Sequence, residues 1–153
     1  MRSILSLISA ALVAGCAATT DAPTATPARS ETLSTSSSPT LSGYRNAAGL
    51  PALRSSPRLA RAAQVQADYM ARTGRFSHAG AGGSRVASRV SAQNYCYTAA
   101  AENIAYGQPS EAHALTGWMN SPSHRRHILN PMFTEVGLGN RNGFWVMVLG
   151  RPC

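Results

Sequence analysis

The sequence predicts an α+β fold, a three-layer α-β-α sandwich with a small central antiparallel sheet. Apolar residues recur at helical spacing in several segments of the first 130 residues, and the periodicity afterwards changes to that of strands. Residues 144–149 are apolar on both faces, which is typical of a strand that helices cover from both sides. A chain of 153 residues has room for one such core, so we expect a single folded domain.

The first predicted elements are helices. Residues 41–48 predict a short helix. Ser56 followed by Pro57 is a strong helix start, because serine caps the first turn and proline has no N–H to leave unsatisfied there. Gly74 ends the long helix that follows, and residues 84–93 predict a weaker one.

The second half of the domain begins with two more helices. Ser110 is the predicted N-cap of a helix that continues to residue 119. The pair Ser121-Pro122 repeats the combination of cap and proline, and predicts a helix that ends near residue 129.

A β-hairpin is predicted at the C-terminal end. Residues 135–139 and 144–149 have the composition of strands, and Asn142-Gly143 between them favours a tight hairpin turn. The two strands would form the centre of the sheet.

The charge of the chain is strongly positive. All fourteen basic residues are arginine, against six acidic residues, and the formal net charge is +8. Twelve arginines and four acids fall within residues 41–153, so the basic character belongs to the folded domain. The sequence has neither a basic stripe interleaved with aromatic residues nor a zinc-finger spacing, and we therefore expect no nucleic-acid partner.

Residues 1–15 have the layout of a secretory signal peptide. Arg2 precedes an apolar run shorter than the ~20 residues needed to span a bilayer. The run ends in a sequence that resembles the bacterial lipobox, which implies cleavage before Cys16 and attachment of acyl chains to it. An ordinary cleavage site nearby is the alternative. Because Ala17 rather than aspartate follows, we expect an exported lipoprotein of the outer membrane if the envelope is Gram-negative.

Residues 16–40 predict a flexible tether between the lipidated cysteine and the domain. Alanine, serine, threonine and proline dominate this stretch, which has no hydrophobic periodicity. The tether would hold the domain of residues 41–153 away from the membrane.

The cysteine count predicts one disulfide bond. Three cysteines in an exported protein leave one unpaired. If Cys16 carries lipid, Cys96 and Cys153 remain as a pair in an oxidising compartment. Two unpaired buried thiols are the alternative, because the sequence does not show whether the two residues come within bonding distance.

Two histidines and one glutamate are the candidate site residues. His78 lies in the loop after the long helix, Glu102 among small and apolar residues, and His124 in the first turn of its helix. The helix dipole at that position disfavours a protonated imidazole. Two imidazoles and a carboxylate can hold a divalent metal ion, or can form a hydrogen-bonded cluster in a cleft. Their spacings, 24 and 22 residues, are not a recognised metal signature.

Several short blocks occur in a specific order along residues 41–153, and the set is more specific than any one of them. The blocks are Tyr44-Arg45, Gly49-Leu50-Pro51, Phe76-Ser77-His78, Arg89, Glu102-Asn103-Ile104, Trp118-Met119-Asn120, Ser121-Pro122-Ser123-His124 and Glu135-Val136-Gly137. This ordered set resembles the CAP superfamily of cysteine-rich secretory, antigen 5 and pathogenesis-related proteins, also called the SCP domain. The resemblance is strongest to its bacterial branch.

The resemblance implies an α-β-α sandwich with a central cleft. In the family two histidines and two acids line this cleft and hold zinc or another divalent ion in some members. His78 matches the first histidine, Glu102 one acid and His124 the second histidine. Ser121 stands where eukaryotic members have the second acid, so water or the more distant Glu111 would have to complete a metal shell.

Three functions are compatible with this resemblance. The leading hypothesis is a ligand-binding module for lipid or cell-wall material, without established catalysis. The alternative is a metal-dependent hydrolase of peptide or cell-wall material, in which Glu102 is the general base. A structural adhesion module with a vestigial cleft is the third.

The remaining polar residues are expected to have minor roles. His127 lies three residues after His124 and is expected to be a half-exposed surface residue. His113 is expected to be solvated in the middle of its helix. Asn103 is expected to fix the backbone of a loop, and Arg125 and Arg126 to form a solvated basic face.

Overall fold

The computed structural model describes residues 39–153 of the chain. The signal peptide of residues 1–15, the acylation of Cys16 and nearly all of the tether lie outside the described residues and stay predictions. The elements in chain order are α1 (Leu41–Ala47), β1 (Arg54–Ser55), α2 (Pro57–Thr73), a 3-10 turn (Ala81–Gly83), α3 (Val86–Ser91), β2 (Tyr97–Tyr106), α4 (Glu111–Asn120), α5 (Pro122–Ile128), β3 (Glu135–Arg141) and β4 (Phe144–Pro152).

The four strands form one sheet in the order β1-β3-β4-β2. β4 pairs antiparallel with both β2 and β3, whereas the two-residue β1 pairs parallel with β3. The predicted hairpin is confirmed: β3 and β4 pair from Glu135 opposite Gly150 to Arg141 opposite Phe144. The α+β class is also confirmed, and the short β1 makes the sheet mixed rather than purely antiparallel.

The sequence did not predict β2, an edge strand of the sheet. Its segment contains four alanines and few β-branched residues, so it lacks the composition typical of strands. Pairing with β4 along its whole length determines its conformation. The register shifts between Tyr97 and Ala99, which is a β-bulge near the start of the strand.

The predicted helix starts are correct, but only one serine caps its helix as expected. The Ser110 hydroxyl accepts a hydrogen bond from the backbone N–H of His113. Neither Ser56 nor Ser121 makes a side-chain capping bond, although α2 and α5 begin at the prolines that follow them. The Ser121 hydroxyl is used in the candidate site instead.

Helices cover both faces of the sheet, as the apolar β4 predicted. On one face α2 and α3 pack on residues of β2 and β4, among them Ile104 and Val146. On the other face α1, α4 and α5 pack on residues that include Met147 and Leu149. β4 is therefore the buried centre of a three-layer sandwich.

A buried arginine joins α1 to the end of α5. The Arg45 side chain is fully buried, and no carboxylate pairs with it among the described residues. It donates hydrogen bonds to four backbone carbonyl oxygens, those of Pro51, Ile128, Asn130 and Phe133. Burial lowers the pKa of the Arg45 guanidinium. Two of these carbonyls lie where α5 ends, so the positive charge is placed at the negative end of a helix dipole.

The predicted disulfide is present. Cys96, just before β2, bonds to Cys153, just after β4, and their Cα atoms are 5.5 Å apart. The backbone N–H of Cys153 also donates to the Cys96 carbonyl. The bond therefore joins the neighbouring ends of two paired strands. Along residues 39–153 no helix has both the length and the apolar character that crossing a membrane requires.

Two glycines allow α2 to lie directly on β3. A Cβ atom at Gly137 would overlap the backbone of Ala60, and one at Gly139 would lie 2.5 Å from the backbone nitrogen of Gln64. Helix and strand are therefore closer together than any side chain would permit.

We expect Gly137→Ala to lower the free energy of unfolding by about 1–3 kcal/mol, because the added methyl group forces α2 away from the sheet. The matched control is Gly117→Ala in α4, where an added Cβ meets no atom within 4 Å. The control should be neutral or stabilising by up to about 1 kcal/mol, since alanine favours helix over glycine. Urea unfolding of both variants measures these changes in stability. Equal stability of the Gly137→Ala and Gly117→Ala variants would contradict the close approach of α2 to β3.

Candidate ligand-binding site

Strand β2 supplies the two polar side chains on which the candidate site depends. Consecutive residues of a strand point to opposite faces of the sheet, so the side chains of Glu102 and Asn103 contact different helical layers. Glu102 contacts Arg89 of α3, whereas Asn103 contacts the backbone of α5. Both residues are buried.

Glu102 forms a buried ion pair with Arg89 and also orients His78. Its Oε2 accepts a hydrogen bond of 2.6 Å from Nη2 of Arg89, and both side chains are 3% exposed. Its Oε1 lies 2.9 Å from Nδ1 of His78, whose side chain is 48% exposed. Because a carboxylate only accepts, Nδ1 of His78 is the donor and Nε2 remains the free ring nitrogen. Both carboxylate oxygens of Glu102 are therefore engaged.

The backbone that carries His78 is held by two buried side chains. Gln66 of α2 donates from Nε2 to the Ser77 carbonyl at 2.6 Å. Arg89 donates from Nη1 to the Ser84 carbonyl at 2.8 Å and makes longer bonds of 3.4 Å to the His78 carbonyl. These contacts hold both ends of the loop between α2 and α3 against the helices, so the imidazole is placed by its backbone as well as by Glu102.

On the opposite face of β2, Asn103 joins the two histidines of α5. Its Nδ2 donates to the His124 carbonyl at 3.2 Å, and its Oδ1 lies 2.8 Å from Nδ1 of His127. The first bond fixes the orientation of the amide, so Nδ1 of His127 donates and Nε2 is free. The sequence did not predict this pair: Asn103 belongs to a strand rather than a loop, and His127, at the intermediate exposure expected of it, bonds to Asn103.

His124 bonds to the serine that precedes its helix. Nδ1 of His124 lies 2.8 Å from the Ser121 hydroxyl, which is 3.1 Å from the Ser123 hydroxyl. Burial lowers the pKa of His124, and the charge of His78 lowers it further. The neutral imidazole expected from the helix dipole is thus favoured, but burial is the main cause.

A cavity of about 480 Å³ opens beside His124. Its apolar wall includes Ile104 and Trp118, and His124 contributes a polar edge. Two exposed aromatic side chains also line it, Phe76 at 54% and Tyr106 at 58% exposure. The remaining lining residues are Ala105, Gln108, Gly117 and Ser121.

The structure brings two of the three predicted site residues into contact. His78 and Glu102 are hydrogen-bonded, whereas His124 lies within range of the charge of His78 but bonds to neither residue. Within residues 39–153, no three His, Cys, Asp or Glu side chains are grouped so that they could hold a metal ion. With both Glu102 oxygens engaged, the residues present do not supply the expected ligand set for zinc. The metal site stays a prediction.

The half-buried His127 should make the stability of the protein depend on pH. Burial lowers its pKa, and the charges of Arg126, His124 and His78 lower it further. The unfolded state then takes up a proton near the ordinary value of ~6.5, before the folded state does, so stability falls as the pH drops below that value.

We expect His127→Gln to reduce the stability that is lost between pH 7.5 and 5.5, because glutamine does not titrate and its amide N–H can still donate to Asn103. Urea unfolding of both proteins at several pH values measures the effect. Parallel pH profiles for variant and parent would contradict it.

A profile of the CAP family, described as "Cysteine-rich secretory protein family", matches residues 40–146 of the chain. Two proteins of Bacillus subtilis (strain 168) are similar in sequence. The uncharacterized protein YkwD is 33% identical over 95 residues, which are 62% of this chain and 37% of YkwD. The uncharacterized membrane protein YlbC is 34% identical over 64 residues, which are 42% of this chain and 18% of YlbC. The chain therefore matches well under half the length of each relative.

Two solved structures have a fold similar to that of this chain. An extracellular protein of Bacillus anthracis str. Ames that contains an SCP domain matches with a TM-score of 0.70 at 29% identity, over 72% of this chain and 37% of that chain. An outer surface protein from Borrelia burgdorferi matches with a TM-score of 0.67 over 74% of this chain and 87% of that chain; its 19% identity shows the shared fold alone. With the family profile covering most of its length, this chain belongs to the CAP family of cysteine-rich secretory proteins.

Proposed function

We propose that this protein is an exported, lipid-anchored envelope protein whose CAP domain binds a ligand in the cleft around His78, Glu102 and His124. The observation that carries the proposal is the cavity of about 480 Å³ beside His124, with exposed aromatic side chains among its lining. His78 and Glu102 do not line this cavity, and His78 is linked to it through its proximity to His124. A concave apolar site with a few placed polar groups is the usual form of a small-molecule site.

The shape and chemistry of the cavity favour an amphipathic ligand, such as a lipid or a fragment of cell-wall material. Ile104 and Trp118 offer apolar contact, while His124 and Ser121 offer hydrogen bonds.

Glu102 is suited to positioning rather than to proton transfer. Its two oxygens bond to His78 and Arg89, and its side chain is almost fully buried. A general base needs an oxygen that can reach a water or substrate proton. We therefore favour binding without catalysis, and no contact of the described residues favours the metal-dependent hydrolase.

Export is supported by three observations, of which the first also supports membrane attachment. The N-terminus has the pattern of a lipoprotein signal peptide that ends at Cys16. The disulfide between Cys96 and Cys153 is of a kind that persists in oxidising compartments. Two structural neighbours are named as extracellular and outer surface proteins. In a Gram-negative envelope, Ala17 favours the outer membrane.

Two variants test the cleft by different means. His78→Ala/His124→Ala removes the imidazole of His124, which lines the cavity, together with the nearby imidazole of His78. Gly117→Met fills the cavity from an exposed helix position with open space around it. Mass spectrometry of lipids and muropeptides that co-purify with the full chain should show at least tenfold less bound material for both variants. His113→Ala, which alters an exposed histidine of α4, is the control and should retain it. Equal retention by all four proteins would contradict cleft binding.

The anchor is tested by Cys16→Ser. We expect this variant to move from the membrane fraction to the soluble fraction, because the acylated residue is lost. Ala17→Asp is the matched control: it keeps the cysteine and should leave the protein membrane-bound, but at the inner membrane of a Gram-negative envelope. Continued membrane association of Cys16→Ser in immunoblots of fractionated cells would rule out lipidation.

A further inference from the structure

Two exposed aromatic rings are grouped at the cavity beside His124. Within residues 39–153, four large apolar side chains are exposed, those of Val65, Phe76, Tyr106 and Met132. Two of them, Phe76 and Tyr106, are aromatic, and both line this cavity. Single exposed apolar residues are common, whereas aromatic rings grouped at a concave surface are typical of a ligand-binding groove.

The ring of Tyr106 is held in place by the core. Tyr106 ends strand β2 opposite Phe144 of β4, and the two rings are stacked with their centroids 4.2 Å apart. Phe144 is buried and belongs to the core, whereas Tyr106 is more than half exposed. Because Phe144 supports one side of the ring, Tyr106 loses little side-chain freedom when a ligand contacts its exposed side.

The backbone that follows Tyr106 is also fixed. The Gly107 N–H donates to the Gly143 carbonyl at 3.0 Å, which ties the end of β2 to the hairpin turn. Trp145 donates from Nε1 to the Gln108 carbonyl at 2.9 Å. This wall of the cavity is therefore formed before a ligand arrives.

The cavity is uncharged although the domain is strongly basic. Residues 41–153 contain twelve arginines and four acids, yet the lining of the cavity includes neither an arginine nor an acid. Two other cavities of the domain each have two arginines in their walls. Burial, followed by the charge of His78, lowers the pKa of His124, so its imidazole adds no charge at neutral pH. A phosphate or carboxylate would find no cation to pair with here, and the lining fits an uncharged ligand.

The exposure of the aromatic side chains favours a sugar over an acyl chain. An acyl chain on Phe76 and Tyr106 would keep much of its surface in water, because both side chains are more than half exposed. A sugar ring presents C–H groups on its faces, which the negative face of an aromatic ring attracts. Its hydroxyls lie around the rim, where they stay hydrated. An open aromatic groove therefore fits a sugar.

We propose that this cavity binds an uncharged sugar ring, an inference that rests on the ligand binding proposed above. Tyr106 would stack on a face of the sugar, and Phe76 would add apolar contact. Nδ1 of His124 is bonded to Ser121, which leaves Nε2 for a hydroxyl or acetamido group of the ligand. Of the ligands considered above, the inference selects the glycan part of cell-wall material rather than a lipid.

The test uses the full chain with Cys16→Ser, so that neither an acyl anchor nor detergent contributes. Tri-N-acetylchitotriose and maltotriose, both uncharged trisaccharides, are titrated while amide and indole N–H chemical shifts are recorded. Saturable shifts are expected at Tyr106 and at the indole of Trp118 with at least one of the two sugars.

Substitutions test whether stacking carries the binding. Tyr106→Ala should weaken binding roughly tenfold, whereas Tyr106→Phe keeps the ring and should stay within about twofold of the parent. Phe76→Ala changes a loop residue, leaves the stacked pair with Phe144 intact and should weaken binding severalfold. The control is Met132→Ala, which removes an exposed apolar side chain outside the cavity and should bind like the parent. Loss of binding in Tyr106→Phe, or equal weakening in Met132→Ala and Tyr106→Ala, would overturn the proposal.

A lipid probe separates failure of this inference from failure of the proposed function. Dihexanoyl phosphatidylglycerol, a soluble short-chain lipid, is titrated in the same way. Saturable shifts at Tyr106 and Trp118 with the lipid but with neither sugar would overturn sugar binding and leave ligand binding in the cleft intact. If none of the three probes shifts these resonances, sugar binding is overturned, and the co-purification experiment decides ligand binding separately.

Discussion

The alternation of side chains along strand β2 is the constraint on which the candidate site depends. Glu102 and Asn103 are consecutive, so one must face α2 and α3 and the other α4 and α5. Each then binds a histidine-bearing segment from its own layer, His78 on one side and the start of α5 on the other. An edge strand is suited to this role, because segments from both faces can approach it where no further strand intervenes.

The buried ion pair of Arg89 and Glu102 favours one arrangement of β2 relative to α3 and the loop that carries His78. Two ions removed from water are costly to bury, and their mutual attraction with good geometry offsets much of that cost. Loss of either partner would leave an uncompensated charge, a change of about 3–5 kcal/mol in comparable pairs. Because Arg89 also bonds the loop that carries His78, the pair orders the loop together with the strand.

Local signals in the sequence predicted most of the fold. Ser56-Pro57 and Ser121-Pro122 marked helix starts, and Asn142-Gly143 marked the hairpin, because each depends on the backbone preferences of neighbouring residues. Strand β2 could not be predicted in this way, since its alanines favour no strand and its conformation follows from pairing with β4. The contact of His78 with Glu102 joins residues 24 positions apart, and only resemblance to a family indicated it. Neither a local sequence pattern nor the family resemblance predicted the hydrogen bond between Asn103 and His127.

The bulge near the start of β2 limits how the length of this segment can change. It lies between Tyr97 and Ala99, and the disulfide at Cys96 holds the chain just before it. Deletion of one residue between this point and Glu102 would shift every later side chain to the other face, so the carboxylate and the amide would exchange partners. Insertions and deletions should therefore be absent from this part of the strand in functional homologues.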